Sequence, residues 1–178
     1  MILAFDTATS FGAVCGVSTG ARGRAPRAGD LLAAVDLLVP DPGALEGIVV
    51  GRGPGSFTSI RIGLAAARAL ALSLDLPVAG ASTLDAYDGA TPVIDARRGE
   101  VFAPGPVVCR PEELDVAGKT LVGDGALLYR DVFEANGATI GEEHEPDPLL
   151  LIARAGAFGP AELVEPLYVR EPDARPQA

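Results

Sequence analysis

Apolar residues along the chain fall in short runs, punctuated by glycine, proline and carboxylates. Residues 2–5 (Ile-Leu-Ala-Phe) form an unbroken run ending on Asp6, and residues 12–17 form a second. Both read as buried strands, the second returning beside the first. Residues 22–29 hold three arginines, a proline and two glycines, which is loop composition. Asp30 then offers an N-cap to a helix over 31–39, where Leu31, Val35 and Leu38 recur at helical spacing. A loop with Pro40, Pro42 and Gly43 leads to a fully apolar strand at 47–50. The glycine-rich stretch that follows opens a helix, capped by Ser56 or Thr58 and running to about residue 74. Ile60, Leu64, Ala67, Ala71 and Leu74 mark one face of it, and Ile62, Ala66 and Leu70 another; Arg61 and Arg68 are its charges. A helix apolar on most faces is buried, inside the fold or against a partner. Its Gly63 and five alanines between 65 and 71 suit close approach by a second helix.

The pattern restarts at Pro92. An apolar run ends on Asp95, a polar turn with Gly99 follows, and Val101 opens a second run, as at residues 2–14 with an offset of 89 residues. Helices are expected over 111–116, 126–135 and 148–158, with a strand at 120–122. Two units that each open on a hairpin closed by Asp predict a duplicated α/β architecture, divided into residues 1–90 and 91–178.

Composition narrows the function. The chain has 178 residues, 14 Lys+Arg against 24 Asp+Glu, and a formal charge of −10. Lys119 is its one lysine. Such a chain is ill suited to gripping nucleic-acid phosphates by itself. Its 48% apolar content argues against disorder. The opening residues lack the basic region of a signal peptide, and the longest apolar stretch, 64–76, is interrupted by Arg68, Ser73 and Asp75. Cys15 and Cys109 lack metal-ligand spacing and read as reduced thiols of a cytoplasmic protein.

Catalytic equipment is sparse. The loop Gly51-Arg52-Gly53-Pro54-Gly55 has backbone N–H groups and a helix N-terminus that suit an anion, yet no Gly-Lys-Ser/Thr follows. Asp6 and Asp95 end strands, where carboxylates can hold hydrated magnesium or simply cap turns. His144, the single histidine, lies among Glu142, Glu143 and Glu145, a solvated-loop setting. No metal ligand set and no cofactor site is expected.

The stretch Gly53-Pro54-Gly55-Ser56-Phe57-Thr58-Ser59-Ile60-Arg61-Ile62-Gly63 closely resembles the TsaB (YeaZ) family. The opening Ile2 to Thr9, the segment Asp95-Ala96-Arg97-Arg98-Gly99-Glu100-Val101 and the closing Pro166-Leu167-Tyr168-Val169-Arg170 agree with it in family order. The resemblance implies an actin-like ATPase (ASKHA) fold of two duplicated lobes. It implies a non-catalytic role in making threonylcarbamoyladenosine next to the tRNA anticodon. The implied partners are a TsaD-like transferase and a TsaE-like ATPase, with a homodimer in isolation and tRNA reached only through the complex. The pairing surface expected from the resemblance is Ser56, Phe57, Ile60, Arg61, Leu64, Ala67, Arg68 and Ala71. Gly53, Pro54, Gly55, Thr58 and Gly63 form the motif loop, and Asp6, Thr7 and Asp95 a vestigial nucleotide site. Two alternatives compete: an actin-fold ATPase or phosphotransferase using Asp6, the glycine loop and magnesium, and a glycoprotease-type metalloprotease. The prolines at 104 and 106 and the segment 27–31 depart from the family pattern and predict a shortened second lobe and an altered first helix.

Overall fold

A computed structural model describes residues 1–170. The first apolar run forms β1 (Ile2–Asp6) and the second β2 (Ala13–Val17), paired antiparallel. The arginine-rich stretch expected as loop instead forms β3 (Arg22–Ala25), antiparallel to β2. Its strand period is masked in sequence because the inward positions are small. Arg22 and Arg24 point outward to Asp147 and Glu145, while Gly23 sits against the Cys15 thiol and Ala25 is buried. Asp30 does not cap the next helix; it pairs with Arg27, and a 3-10 turn precedes α1 (Leu31–Leu38). Strand β4 (Gly47–Gly51) lies parallel to β1, and α2 (Phe57–Leu74) crosses over to β5 (Val78–Ala81). The sheet order is β3-β2-β1-β4-β5.

The two faces of this sheet differ in residue size. One carries Leu3, Phe5, Cys15, Val17, Ile48 and Val50 beneath α1 and α2. The other carries Ala4, Val49, Ala79 and Ala81. Only one side of α2 is buried inside the fold. Ile60, Gly63, Leu64, Ala67 and Ala71 face the sheet, whereas Ile62 is 37% and Leu72 88% exposed, with Arg61, Ala65, Arg68 and Ala69 also on the outer side. By length and composition α2 could suit a bilayer, but its inner face is the core of this sheet.

The second half begins with β6 (Thr91–Pro92) and β7 (Ile94–Arg97), then β8 (Glu100–Ala103) and β9 (Val107–Cys109) in an antiparallel meander. Pro104 and Pro106 occupy the turn between β8 and β9, so β8 runs through Phe102 and Ala103 before it breaks. The helix expected at 111–116 is one 3-10 turn, Pro111–Glu113. Strand β10 (Thr120–Val122) follows, then α3 (Asp124–Leu128), α4 (Arg130–Ala135) and β11 (Thr139–Ile140). Strands β6, β10 and β11 pair in parallel. Only Val93 separates β6 from β7, and its N–H reaches the Val122 carbonyl at 2.8 Å, continuing the ladder. Across that break the order is β9-β8-β7/β6-β10-β11, the same arrangement and strand sense as the first sheet. Val93, Val101, Leu121, Ala126 and Phe133 fill its core.

The chain then returns. Helix α5 (Pro148–Ala153), capped by Asp147, packs against β1, β2 and β4 on the small-residue face, with Leu151 fully buried. It stops earlier than expected because Gly156, Gly159 and Pro160 follow. Residues 156–159 then hydrogen-bond to the edge of β5 through Gly80 and Val78. Positions 171–178 of the expected second unit lie outside the described residues.

Candidate functional site

Asp6 organises the glycine loop. Its carboxylate is 1% exposed. Oδ1 accepts from the Ala8 N–H at 2.6 Å and Oδ2 from the Thr83 hydroxyl at 2.6 Å; the Thr83 oxygen in turn accepts from the Gly53 N–H at 3.1 Å. Gly51 is required by close approach, since a Cβ there would lie 1.8 Å from Asp6 Oδ2. Burial pushes the Asp6 carboxyl above its usual range, opposed by the Thr83 and Ala8 bonds. The adjacent Thr7 hydroxyl donates to the Ser59 carbonyl at 2.7 Å, and Gly63 leaves it room: a Cβ would stand 2.5 Å from that oxygen. Asp6 and Thr7 thus fasten the loop to α2 and to the 3-10 turn after β5. In this structure each oxygen of Asp6, expected at a vestigial nucleotide site, accepts one internal hydrogen bond, and the carboxylate is enclosed.

At the start of α2, Ser56 caps by accepting from the Ser59 N–H at 3.4 Å; Thr58 is exposed. Phe57 stacks on Tyr168 with ring centroids 4.8 Å apart. The Arg61 guanidinium lies 3.9 Å over the Phe57 ring, and its Nε donates to the Tyr168 hydroxyl at 3.0 Å. Arg68 donates to the Val164 carbonyl, and the Leu167 N–H to the Arg52 carbonyl. Arg170 reaches Glu100 and the Ala96 carbonyl. The closing segment is therefore a strap over the Gly-Pro-Gly-Ser-Phe-Thr stretch and the β7–β8 hairpin, and three motifs distant in sequence meet there. Between them lies a cleft of about 340 Å³ bordered by Gly55, Ser56, Thr58, Asp95, Arg97 and Arg170.

This geometry corrects the expected pairing surface. Ile60, Leu64, Ala67 and Ala71 face the chain's own core and are withheld from a partner by it. Phe57, Arg61 and Arg68 touch the strap and Ser56 caps the helix, but Arg61 and Arg68 remain exposed and Ser56 and Phe57 half-buried. The outward stripe is Ile62, Ala65, Ala69 and Leu72, whereas the second face expected around Ile62 ran through Ala66 and Leu70, which are half-buried. Helical spacing 62, 65, 69, 72 was its one available signal.

Asp95 accepts from the Arg97 N–H at 2.8 Å and pairs with the Arg97 guanidinium at 3.1 Å. It borders the cleft, whereas Asp6 is turned into the interior. Thr83 and Asp124, both buried and both holding backbone groups, were not signalled by any sequence pattern. His144 Nδ1 accepts from the Gly123 N–H at 3.2 Å, fixing its loop to the turn before α3. Among the described residues no three of His, Cys, Asp and Glu come together as a metal-binding group.

The five-stranded mixed sheet, the hairpins carrying Asp6 and Asp95 and the cleft beside them make this a mixed α/β protein of ASKHA-like type. Residues 31–128 match the family described as TsaD, tRNA N6-adenosine threonylcarbamoyltransferase. A Mycobacterium tuberculosis (strain H37Rv) protein is 39% identical over 149 residues, spanning 75% of this chain and 68% of that one. TsaB of Bacillus subtilis, a tRNA threonylcarbamoyladenosine biosynthesis protein, is 45% identical over 69 residues, 34% of this chain and 30% of its own. The solved structure of YeaZ from Pseudomonas aeruginosa superposes with a TM-score of 0.75 at 25% identity, covering 94% of this chain and 98% of that one. The chain belongs to the TsaB (YeaZ) family.

Proposed function

We propose that this chain is a non-catalytic scaffold or activator in the formation of tRNA threonylcarbamoyladenosine, pairing with a TsaD-like transferase through the outer face of α2. A TsaE-like ATPase joins that pair, tRNA is reached only through the complex, and the isolated chain forms a homodimer through the same face. The two halves act as duplicated lobes, a reading supported by their shared strand order.

The observation that carries the proposal is the exposed apolar stripe on the outer face of α2. Ile62 and Leu72 stand in solvent on a rigid crossover helix, while Asp6, Thr7, Phe57 and Arg61 are all consumed in holding the fold. An ATPase reading would need Asp6 open to a metal, which the Thr83 and Ala8 bonds oppose.

The test is association. Purified chain mixed with the TsaD-like protein of the same organism is expected to sediment as a complex at micromolar concentration, and Leu72→Glu to abolish it. Absence of a complex with the unmodified chain would refute the reading. Calorimetry with ATP and magnesium checks the alternative, for which tight binding with turnover by the isolated chain is required.

A further inference from the structure

Asp124 opens α3, and its carboxylate is out of water at 7% exposure. It accepts three backbone N–H bonds. Oδ1 takes those of Asp95 and Gly125, each at 3.0 Å, and Oδ2 takes that of Ser10 at 2.7 Å. Asp95 and Gly125 belong to the second half, whereas Ser10 lies 114 residues away in the β1–β2 turn of the first. A buried carboxylate is tolerable only where hydrogen bonds replace its lost hydration, and these donors do so. Ser10, Asp95 and Asp124, with Phe11, Arg97, Leu127 and Leu128, line a cleft of about 330 Å³ between the halves, while the Gly125 N–H is also held by the Val93 carbonyl at 3.0 Å.

We propose that Asp124 is a carboxylate latch that holds the two halves in their closed relation and fills, from within, a cluster of N–H donors lining this cleft. The bond across the halves is the one to Oδ2. Both bonds within the second half go to Oδ1, so the two jobs sit on different oxygens of one side chain. While the carboxylate is in place, an external oxyanion has no access to the Ser10 and Asp95 donors; without it, those two N–H groups face the cleft unpaired by Asp124. The proposal stands independently of the partner assigned above.

Residue-resolved amide exchange tests it. In the unmodified chain the Ser10 amide, although on an exposed turn residue, is expected to exchange slowly; fast exchange there would overturn the latch without any variant. In Asp124→Asn the side-chain oxygen can keep the Asp95 and Gly125 bonds, but its NH2 meets the Ser10 N–H donor to donor. The Ser10 amide should then exchange at least about tenfold faster, the loss expected for a bond to a charged acceptor, while the Asp95 amide stays protected. Equal Ser10 protection in both proteins would sink the proposal. In Asp124→Ala, millimolar inorganic phosphate is expected to shift the Ser10 and Asp95 amide resonances. The same shifts in the unmodified chain at that concentration would show that the carboxylate does not hold these donors.

Discussion

Thr83→Val isolates the chain of bonds that anchors the glycine loop. Thr83 is fully buried, and valine matches its shape, so no cavity forms and the change is confined to the hydroxyl. Two interactions vanish together: the bond donated to Asp6 Oδ2 and the bond accepted from the Gly53 N–H. Losing a hydrogen bond to a charged group costs about 1.5–3 kcal/mol, and a buried N–H left unpaired about 1–3 kcal/mol. A loss of about 3 kcal/mol or more at pH 7 is therefore expected, a large part of the roughly 5–15 kcal/mol that holds a domain folded. Urea unfolding followed by circular dichroism measures it.

The pH dependence gives a second reading of the same variant. Asp6 is raised in the folded chain mainly by burial. Its ionisation therefore subtracts stability as pH rises from the unfolded value through the folded one. Removing Thr83 takes away a bond that favours the ionised form and raises Asp6 further, so the deficit should be smaller in mild acid than at neutral pH. A variant within about 1 kcal/mol of the parent at pH 7, below the range for an unpaired buried group, would refute the anchoring role given to this chain.

The two faces of α2 are expected to respond oppositely: Leu72→Glu should change stability by no more than about 0.5 kcal/mol, whereas Ala67→Glu puts an unpaired charge in the core and should cost about 3–5 kcal/mol, both read by urea melts. Tyr168→Ala removes the stack on Phe57 and the bond from Arg61, and a loss of about 1 kcal/mol is expected from the ring pair; an unchanged melting curve would dismiss the strap as a stabilising element. Burial raises both thiols, and Cys15 is wholly enclosed, so iodoacetamide should modify the partly exposed Cys109 first and Cys15 only on unfolding, as mass spectrometry would report.

What could be read from the sequence was whatever a single segment records by itself. Residues 2–5 and 47–50 are apolar on both sides because both faces of the sheet are covered, and the restart at Pro92 falls where the strands of the second half begin. The segment 22–25 misled because its alternation is between arginine and glycine or alanine, which looks like loop when hydrophobicity is the guide. The inner and outer sides of α2 could not be told apart, since alanine and leucine occur on both and only packing chooses between them. Thr83 and Asp124 left no trace, because their roles depend on partners 77 and 114 residues away. The closing motif was visible as Pro-Leu-Tyr-Val-Arg, but not that its tyrosine answers Phe57 and its arginine Glu100.

The return of α5 to the first sheet has a consequence for cooperativity. Ala4, Val49, Ala79 and Ala81 are shielded by a helix drawn from beyond residue 147, so the amino-terminal ninety residues hold only one finished side of their own sheet. Expressed alone, that fragment would offer a flat, alanine-lined surface to any neighbour and should self-associate. In the intact chain neither half can melt first without uncovering the other. Calorimetry should accordingly record one transition, and the molecule behaves as a single folding unit with two similar halves, sewn shut by its last turn of chain.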